Sequence, residues 1–191
     1  MSSHDELRTI ALAEFTRAGY SGTSLQRIAE LAGLSKSSVL YHYSSKEALL
    51  EAAIAPAIDK LDDILTNLET AEPSRESRDR FVADFSDLVL EHRLELHMFI
   101  NQGASLEDVP VVERANALIL RLATYFSSTL STTEDRLRFG IALGGAAYAL
   151  ATAQSLELED LEPIEETRAA LITIVTELLE PVPIRPTSTQ E

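Results

Sequence analysis

The segment at residues 25–46, LQRIAELAGLSKSSVLYHYSSK, constrains the fold of this chain more than any other part of it. Ile28 and Ala29 give a short first helix one apolar face, and the small Ala29 allows a second helix to cross closely. Gly33 ends the first helix, because glycine accepts the positive φ of a tight turn. Ser35 is a favourable N-cap for a second helix. The segment therefore predicts two short helices that cross at a steep angle.

The second of these helices has two chemically different faces. Val39 and Tyr43 lie four residues apart and form its inner face. The outer side carries small, polar or amphipathic side chains that fit a DNA major groove, namely Lys36, Ser37, Leu40 and Tyr41, with Ser38 and His42 beside them. The pattern therefore predicts a helix-turn-helix that binds duplex DNA. On the spacing alone, an ordinary helical hairpin in an all-α core is the alternative.

Taken whole, residues 7–51 resemble the N-terminal domain of the tetracycline-repressor-like (TetR) family of bacterial transcription regulators. The matching pieces are Ala13, Phe15, Gly19-Tyr20, Thr23-Ser24, Ile28-Ala29, AGLSK at 32–36, YHY at 41–43 and SKEAL at 45–49. The resemblance implies a homodimer whose remaining helices bind a small-molecule effector and form the dimer interface. It also implies a regulator that is most often a repressor. The chain differs from the family pattern at Ser37, Leu40 and Ser44, where Gly, an aromatic residue and Pro are usual.

The expected DNA-binding residues follow from this segment and from the resemblance. Lys36, Ser37 and Tyr41 are the candidates for base edges. Thr23, Ser24, Ser38, His42 and Lys46 are the candidates for phosphates, and Ser35 lies beside them as the helix cap. Leu40 stands where the family commonly has a tyrosine that contacts a phosphate, so it is instead a candidate for contact with a thymine methyl group.

The charge of the chain is distributed unevenly. The net charge is −15, yet residues 1–50 contain five basic and five acidic side chains, and the remainder contains 11 basic and 26 acidic ones. The excess negative charge therefore lies outside the predicted DNA-binding head. Since phosphate neutralisation is local, an acidic body is compatible with DNA binding.

The composition predicts an all-α fold. Runs of alternating polarity are absent, and Ala, Leu and Glu dominate the 191 residues. We expect a three-helix helix-turn-helix DNA-binding domain at 1–50, a helical-bundle ligand-binding and dimerisation domain at 51–180, and a disordered proline-rich tail at 181–191. The N-terminus lacks the apolar core of a signal peptide, so a cytoplasmic protein is expected.

Periodicity places further helices at 5–19, 45–69, 75–92, 94–102, 111–128, 139–153 and 164–179. Pro56 is expected to kink or divide the second of these, which would be the lever between head and body. By resemblance, the last two helices pair with their copies in a four-helix dimer interface. The residues expected there are Gly140, Gly144, Ala147, Ala151, Leu171, Val175 and Leu178. Packing of the same residues within one chain is the alternative.

The chain lacks the motifs of common enzymes, metal sites and cofactor sites. It has no cysteine, phosphate loop, nucleophile elbow or zinc-protease motif. His92 and His97 are five residues apart, which places them on different sides of a helix, so no metal site is expected. A ligand cavity is expected from Phe81, Phe85, His97, Phe99, Tyr125, Phe126 and Tyr148, although these residues could equally fill the core.

Two other classes of function remain open from the sequence. One is a ligand-binding or enzymatic helical bundle in which the hairpin is only structural. The other is an architectural interaction protein. A sequence-specific DNA-binding regulator is the preferred hypothesis, and no enzymatic activity is expected.

Overall fold

The computed structural model describes residues 3–103, 106, 109–130, 132–152 and 163–182. Within these ranges the chain forms nine α-helices and no strand, which confirms the all-α prediction. They are α1 (Ser3–Ala18), α2 (Leu25–Leu31), α3 (Lys36–His42), α4 (Lys46–Thr70), α5 (Arg75–Glu91), α6 (Arg93–Gln102), α7 (Pro110–Thr129), α8 (Thr133–Thr152) and α9 (Ile164–Leu179). None of these helices is long and apolar enough to cross a membrane. The predicted disordered tail falls outside the described residues from 183 onward.

The chain divides into two compact units. Unit 1 comprises Met1–Asp59 and Leu94–Ala115, and unit 2 comprises Lys60–Arg93 and Asn116–Glu191. The predicted helix-turn-helix therefore shares unit 1 with α6 and the first turns of α7. The domain boundary expected near residue 50 stays a prediction.

The helix-turn-helix forms as expected because its inner faces are apolar. Ala29, at the predicted crossing of α2 and α3, is fully buried, and so is Val39. Gly33 has a φ of +66° in the turn between the helices. The remaining fully buried apolar residues of this part of unit 1 are Leu7, Ala11, Phe15, Ile28, Leu49 and Leu50.

Both helices of the motif begin with a serine cap. The Ser24 Oγ accepts a hydrogen bond from the Arg27 amide at 3.1 Å, and the Ser35 Oγ accepts one from the Ser38 amide at 3.1 Å. Each bond satisfies one of the N–H groups that a helix leaves unpaired in its first turn. The predicted cap at Ser35 is thus confirmed, and the two serines fix where α2 and α3 start.

Helix α4 runs without interruption from Lys46 to Thr70, with Pro56 inside it. The helix is therefore not divided at Pro56, and the kink that was the other expectation stays a prediction. A proline removes only one N–H donor, and Pro56 is exposed on a helix whose Ile54 and Ile58 are buried. Apolar packing on both sides of the proline keeps the helical path.

Unit 2 is held by a buried apolar stripe and an ion pair. The apolar stripe on α5, comprising Phe81, Phe85, Leu88 and Val89, is buried. Arg168 of α9 donates from Nη2 to the Asp87 Oδ2 of α5 at 2.8 Å. This hydrogen bond lowers the pKa of the Asp87 carboxyl, and burial opposes it. The pairing fixes α9 against α5.

A second polar tie in unit 2 joins α7 to α4. Arg121 donates from Nε to Glu69 at 2.8 Å and from Nη1 to Asp62 at 2.6 Å. Because the Arg121 guanidinium binds two carboxylates of α4, it restricts both the rotation and the sliding of α7 against α4.

Candidate nucleic-acid interface

Helix α3 presents its predicted outer face to solvent. Tyr41 is 87% exposed and Leu40 is 40% exposed, whereas Val39 on the inner face is fully buried. Lys36 and Ser37 are also exposed. Since a large exposed aromatic ring adds little to folding, Tyr41 marks this face as a contact surface.

Three serine hydroxyls form a short chain at the start of α3. The Ser35 Oγ lies 2.8 Å from the Ser37 Oγ and 2.8 Å from the Ser38 Oγ. Two such bonds use two of the three hydroxyl protons, so at least one proton remains for an outside acceptor. Lys36, between these serines, has no hydrogen bond or ion pair with any described residue. The start of α3 therefore offers an ammonium and a hydroxyl donor to a ligand.

The two predicted phosphate contacts before α2 differ in their environments. Ser24 is exposed, and its hydroxyl proton has no acceptor within the described part of the chain. Thr23 is only 2% exposed, and its hydroxyl donates to the Gly19 carbonyl at 2.8 Å. Its amide donates to the Tyr20 carbonyl at 3.2 Å. Thr23 therefore has no donor left for a phosphate, and we revise its role to shaping the turn.

Lys46 was expected to point at a phosphate, and its placement is different. Its Nζ donates to the Tyr20 carbonyl at 3.0 Å and to the Thr23 carbonyl at 3.1 Å. The same ammonium lies 4.1 Å from the centre of the Tyr20 ring, a cation–π geometry. Two of its three donors are thus used inside the protein. Lys46 ties the start of α4 to the turn between α1 and α2.

Gln102, the last residue of α6, holds the same turn from another helix. Its Oε1 accepts from the Tyr20 amide at 2.7 Å, and its Nε2 donates to the Phe15 carbonyl at 2.9 Å. The N–H and the C=O of Tyr20 are therefore both bound by side chains, from Gln102 and Lys46 respectively. Gln102 was not predicted, because nothing in the local sequence distinguishes a glutamine at the end of a helix.

A nearly buried carboxylate joins α1 to α2. Glu14 accepts from Arg17 Nη2 at 2.7 Å and lies 3.5 Å from Arg27 Nε, and its side chain is 7% exposed. The hydrogen bond from Arg17 is the main cause that lowers the pKa of Glu14, and burial opposes it. In the sequence, the signal for this ion pair is that the charged Glu14 lies between the apolar Ala11 and Phe15.

His42 ends α3 and is half-buried. Its Nδ1 lies 3.0 Å from the Nε2 of His4, in the first turn of α1. Its ring also packs edge-on against the exposed ring of Tyr41, with centroids 5.5 Å apart. His42 thus lies at the border of the α3 face, and its partner His4 was not predicted.

Unit 2 contains a small apolar cavity of about 70 Å³. Three of the seven predicted ligand residues, Phe81, Tyr125 and Phe126, line it. Phe85, His97, Phe99 and Tyr148 are not among its described lining residues, and Tyr148 is exposed on α8. The lining that the sequence did not predict is Leu68, Pro73, Ser74, Ser77, Arg78, Thr129, Leu130, Phe139, Leu179 and Val182.

Arg78 is the one charged residue in the described lining of this cavity. Its Nη1 donates to the carbonyls of Leu179 and Val182, both at 3.0 Å. Burial raises the pKa of the Tyr125 phenol, with a further contribution from Glu69. The cavity is therefore apolar with a polar edge. Elsewhere in the described ranges, no three His, Asp or Glu side chains are grouped to hold a metal ion.

Helices α8 and α9 pack against each other and still expose apolar side chains. Leu137, Ile141 and Tyr148 follow one another at helical spacing on α8, and Ile141 is 60% exposed. Gly140 and Gly144 lie on the same exposed side. Ile174 is exposed on α9.

The residues that were expected at a dimer interface divide into two groups. Ala151 and Val175 are buried within unit 2, and Val175 is only 1% exposed. Because they already pack inside this chain, they leave little surface for a partner. Ala147, Leu171 and Leu178 are half-buried. Leu171 and Leu178 share their side of α9 with the exposed Ile174.

The two ties to the Tyr20 turn generate a stability prediction. Lys46→Met and Gln102→Ala should each lower the free energy of unfolding by about 1–3 kcal/mol, since each leaves buried backbone groups without a partner. Urea denaturation followed by circular dichroism measures this. Lys36→Met is the matched control and should change stability by less than about 0.5 kcal/mol. If Lys46→Met and Lys36→Met changed the free energy of unfolding equally, the hydrogen bonds of Lys46 to the Tyr20 turn would not stabilise the fold.

Comparison with known sequences matches the N-terminal part of the chain to one family. Residues 8–53 match the family described as bacterial regulatory proteins, tetR family. The chain is 49% identical over 49 residues to the HTH-type transcriptional regulator RutR of Escherichia coli K12, covering 26% of this chain and 23% of RutR. It is 33% identical over 61 residues to IcaR of Staphylococcus aureus Newman, the negative transcriptional regulator of the biofilm operon icaADBC, covering 32% of this chain and 33% of IcaR. The matches thus span a third or less of these relatives.

Comparison with solved structures extends over nearly the whole chain. The ketosteroid transcriptional regulator KstR2 of Mycobacterium tuberculosis has a TM-score of 0.71 at 14% identity, with 95% of each chain covered. A TetR-family regulator of Bordetella parapertussis has a TM-score of 0.65 at 20% identity, covering 94% of this chain and 95% of that one. At these identities the similarity concerns the fold. Together with the sequence match, it supports one assignment: residues 8–53 match the tetR family of bacterial regulatory proteins, and the chain shares the fold of a solved TetR-family regulator.

Proposed function

We propose that this protein is a sequence-specific DNA-binding transcription regulator that acts as a homodimer on a pseudo-palindromic operator. The observation that carries the proposal is the division of α3 into a buried face and an exposed one. Val39 fixes the helix to the head, while Lys36, Ser37 and Tyr41 remain exposed. These are side chains that a major groove accommodates.

The proposed contacts separate into base reading and phosphate binding. Lys36, Ser37 and Tyr41 would meet base edges, and Leu40 would meet a thymine methyl group. Ser24, Ser38 and His42 would position the backbone, with Ser35 as the cap that orders the serine chain. Lys46 has one donor left for a phosphate and acts chiefly through the turn that it holds.

The charge distribution supports a local interface. The first 50 residues carry no net charge, and the excess of acidic residues lies in the rest of the chain. Lys36 has no carboxylate partner within the described residues, so its charge is available to DNA. The acidic body opposes binding through any other surface.

The proposed dimer forms through the exposed apolar residues of α8 and α9. Leu137, Ile141 and Tyr148 give α8 an apolar stripe, and Gly140 and Gly144 allow a partner helix to approach closely. Exposed stripes of this kind on two packed helices fit a four-helix interface with a second copy. Two copies would then read two half-sites.

The proposed mode of action is repression in the cytoplasm that a small-molecule effector relieves. IcaR, one of the matched relatives, is a negative regulator. The cavity of unit 2 is the proposed effector site, since its apolar walls are interrupted by Arg78, Ser77 and Tyr125. At about 70 Å³ it is smaller than usual ligand pockets. Binding would therefore require the lining side chains to move apart, which gives the effector different affinities for two states.

The central prediction concerns DNA selectivity. The protein should select a palindromic motif from a random duplex library. Lys36→Ala and Tyr41→Ala should each weaken binding to that duplex by about 1–3 kcal/mol, because they remove groups that meet the DNA. Fluorescence anisotropy at several salt concentrations measures this. Lys60→Ala is the matched control, a lysine of α4 away from α3, and should bind nearly as wild type. No enrichment of any motif would contradict the proposed function.

The dimer prediction uses one exposed apolar side chain on α8. Ile141→Glu should convert the dimer to a monomer in sedimentation velocity, because it places a charge in an apolar interface. Operator affinity should fall by at least about tenfold, as the second half-site no longer adds to the first. Leu120→Glu is the control, since Leu120 is 68% exposed on α7. A dimer that persists in Ile141→Glu and dissociates in Leu120→Glu would place the interface elsewhere.

The effector prediction uses a variant that fills the cavity. A screen of apolar small molecules should yield a compound that raises the melting temperature and weakens operator binding. Leu68→Trp should abolish both responses, because the indole occupies the cavity that Leu68 lines. Leu120→Trp, on the exposed side of α7, should retain both. A compound that acts equally on Leu68→Trp and on wild type binds at another site.

A further inference from the structure

Two histidines and a tyrosine join the first turn of α1 to the end of α3. The His42 Nδ1 lies 3.0 Å from the His4 Nε2, and the two rings meet edge-on with centroids 4.4 Å apart. The Tyr43 hydroxyl donates to the His4 carbonyl at 3.1 Å and lies 3.3 Å from the His4 Nδ1. The proposed DNA contacts of α3 include His42, but they do not account for its pairing with His4.

The hydrogen bonds assign the proton positions in the neutral cluster. The single Tyr43 hydroxyl proton goes to the His4 carbonyl, which can only accept. His4 Nδ1–H must then donate to the Tyr43 oxygen, which leaves the His4 Nε2 as an acceptor. The His42 Nδ1–H therefore donates to the His4 Nε2, and the His42 Nε2 carries the remaining lone pair.

This arrangement can accept one proton without losing a hydrogen bond. A proton added at the His42 Nε2 leaves every bond in place and makes the bond from His42 to His4 charge-assisted, which strengthens it. A proton added at the His4 Nε2 while the His42 Nδ1 keeps its own would instead set two N–H groups against each other and break the bond between the rings. A singly protonated pair that keeps this bond therefore has an N–H at the His42 Nε2.

Among the described residues, the charged groups near the cluster do not supply a counter-ion for His42. On α1, Asp5 accepts from Arg8 Nη2 at 2.5 Å, so these two charges compensate each other. On the α3 side, the adjacent titratable groups are Tyr41 and Tyr43. Within the described ranges, the His42 Nε2 has no hydrogen-bond partner, so an anion outside the protein can take that place.

We propose that the His4–His42 pair is a proton-linked phosphate site, at which His42 binds a DNA phosphate as an imidazolium and His4 positions it. The proposal rests on the proposed DNA-binding function and adds that each subunit takes up a proton when it binds. His42 is the contact residue. His4 is a positioning residue that acts through the His42 Nδ1.

The test is operator affinity between pH 6 and pH 8 at constant ionic strength, with the duplex that the wild-type protein selects. Histidine changes charge in this range, so binding should tighten roughly fivefold or more per subunit as the pH falls. His42→Gln should bind weakly and without this pH dependence. His42→Lys carries a permanent charge and should bind tightly across the range. His92→Gln, a histidine of unit 2, should respond to pH like wild type.

The His4 variant separates positioning from folding. His4→Phe keeps an aromatic ring and removes the acceptor for His42, so the midpoint of the pH response should move to lower pH while circular dichroism stays unchanged. Nitrogen-15 NMR of the imidazoles should show His42 gaining a proton when the duplex is added at pH 7.5. A merely structural histidine pair would change neither the midpoint nor the imidazole signals.

The outcomes distinguish this proposal from the proposed function. If no duplex is selected at any pH, the function itself is wrong. If the protein selects a duplex with an affinity that is the same from pH 6 to pH 8, only the proton-linked site is wrong. A pH response that persists unchanged in His42→Gln also overturns it, because the proton is then taken up elsewhere.

Discussion

The structure depends on one constraint, which is that α2 and α3 are too short to be stable alone. Each has seven residues, well below the roughly 12–15 that an isolated helix needs in water. Their order must come from burial of Ile28, Ala29 and Val39 and from the serine caps. Because the inner face is buried in this way, only the outer face of α3 is left for the proposed contact with DNA.

The turn that precedes α2 shows how the head is connected to other helices of unit 1. Tyr20 has its amide bound by Gln102 of α6 and its carbonyl bound by Lys46 of α4. A displacement of either helix would change the hydrogen bonding of a peptide four residues before Ser24, the cap of α2. A lysine near the start of a long helix thus serves chiefly as a structural tie, although its sequence position favoured a phosphate contact.

The interfaces of unit 2 show a different relation between pattern and structure. The small residues of α8 do not indicate which neighbour each of them meets. Val175 and Ala151 pack within the chain, whereas Ile141 and Ile174 remain exposed. Similarly, seven residues were expected to line a cavity, yet only Phe81, Tyr125 and Phe126 among them do so. The spacing of apolar residues indicates which face of a helix is buried, but it does not indicate which element packs against that face.

The sequence alone predicts the all-α class, the cap at Ser35, the turn at Gly33 and the division of α3 into two faces. These features depend on side chains within about four residues of one another, so local chemistry suffices to predict them. Only the tertiary structure decided that Lys46 and Thr23 face inward, that Gln102 reaches Tyr20, and that His4 meets His42. The contacts of Lys46, Gln102 and His4 join residues that are 23 to 82 positions apart in the sequence. The burial of Thr23 depends on which face of its turn is covered. No local sequence pattern encodes a distant contact or the covering of a turn.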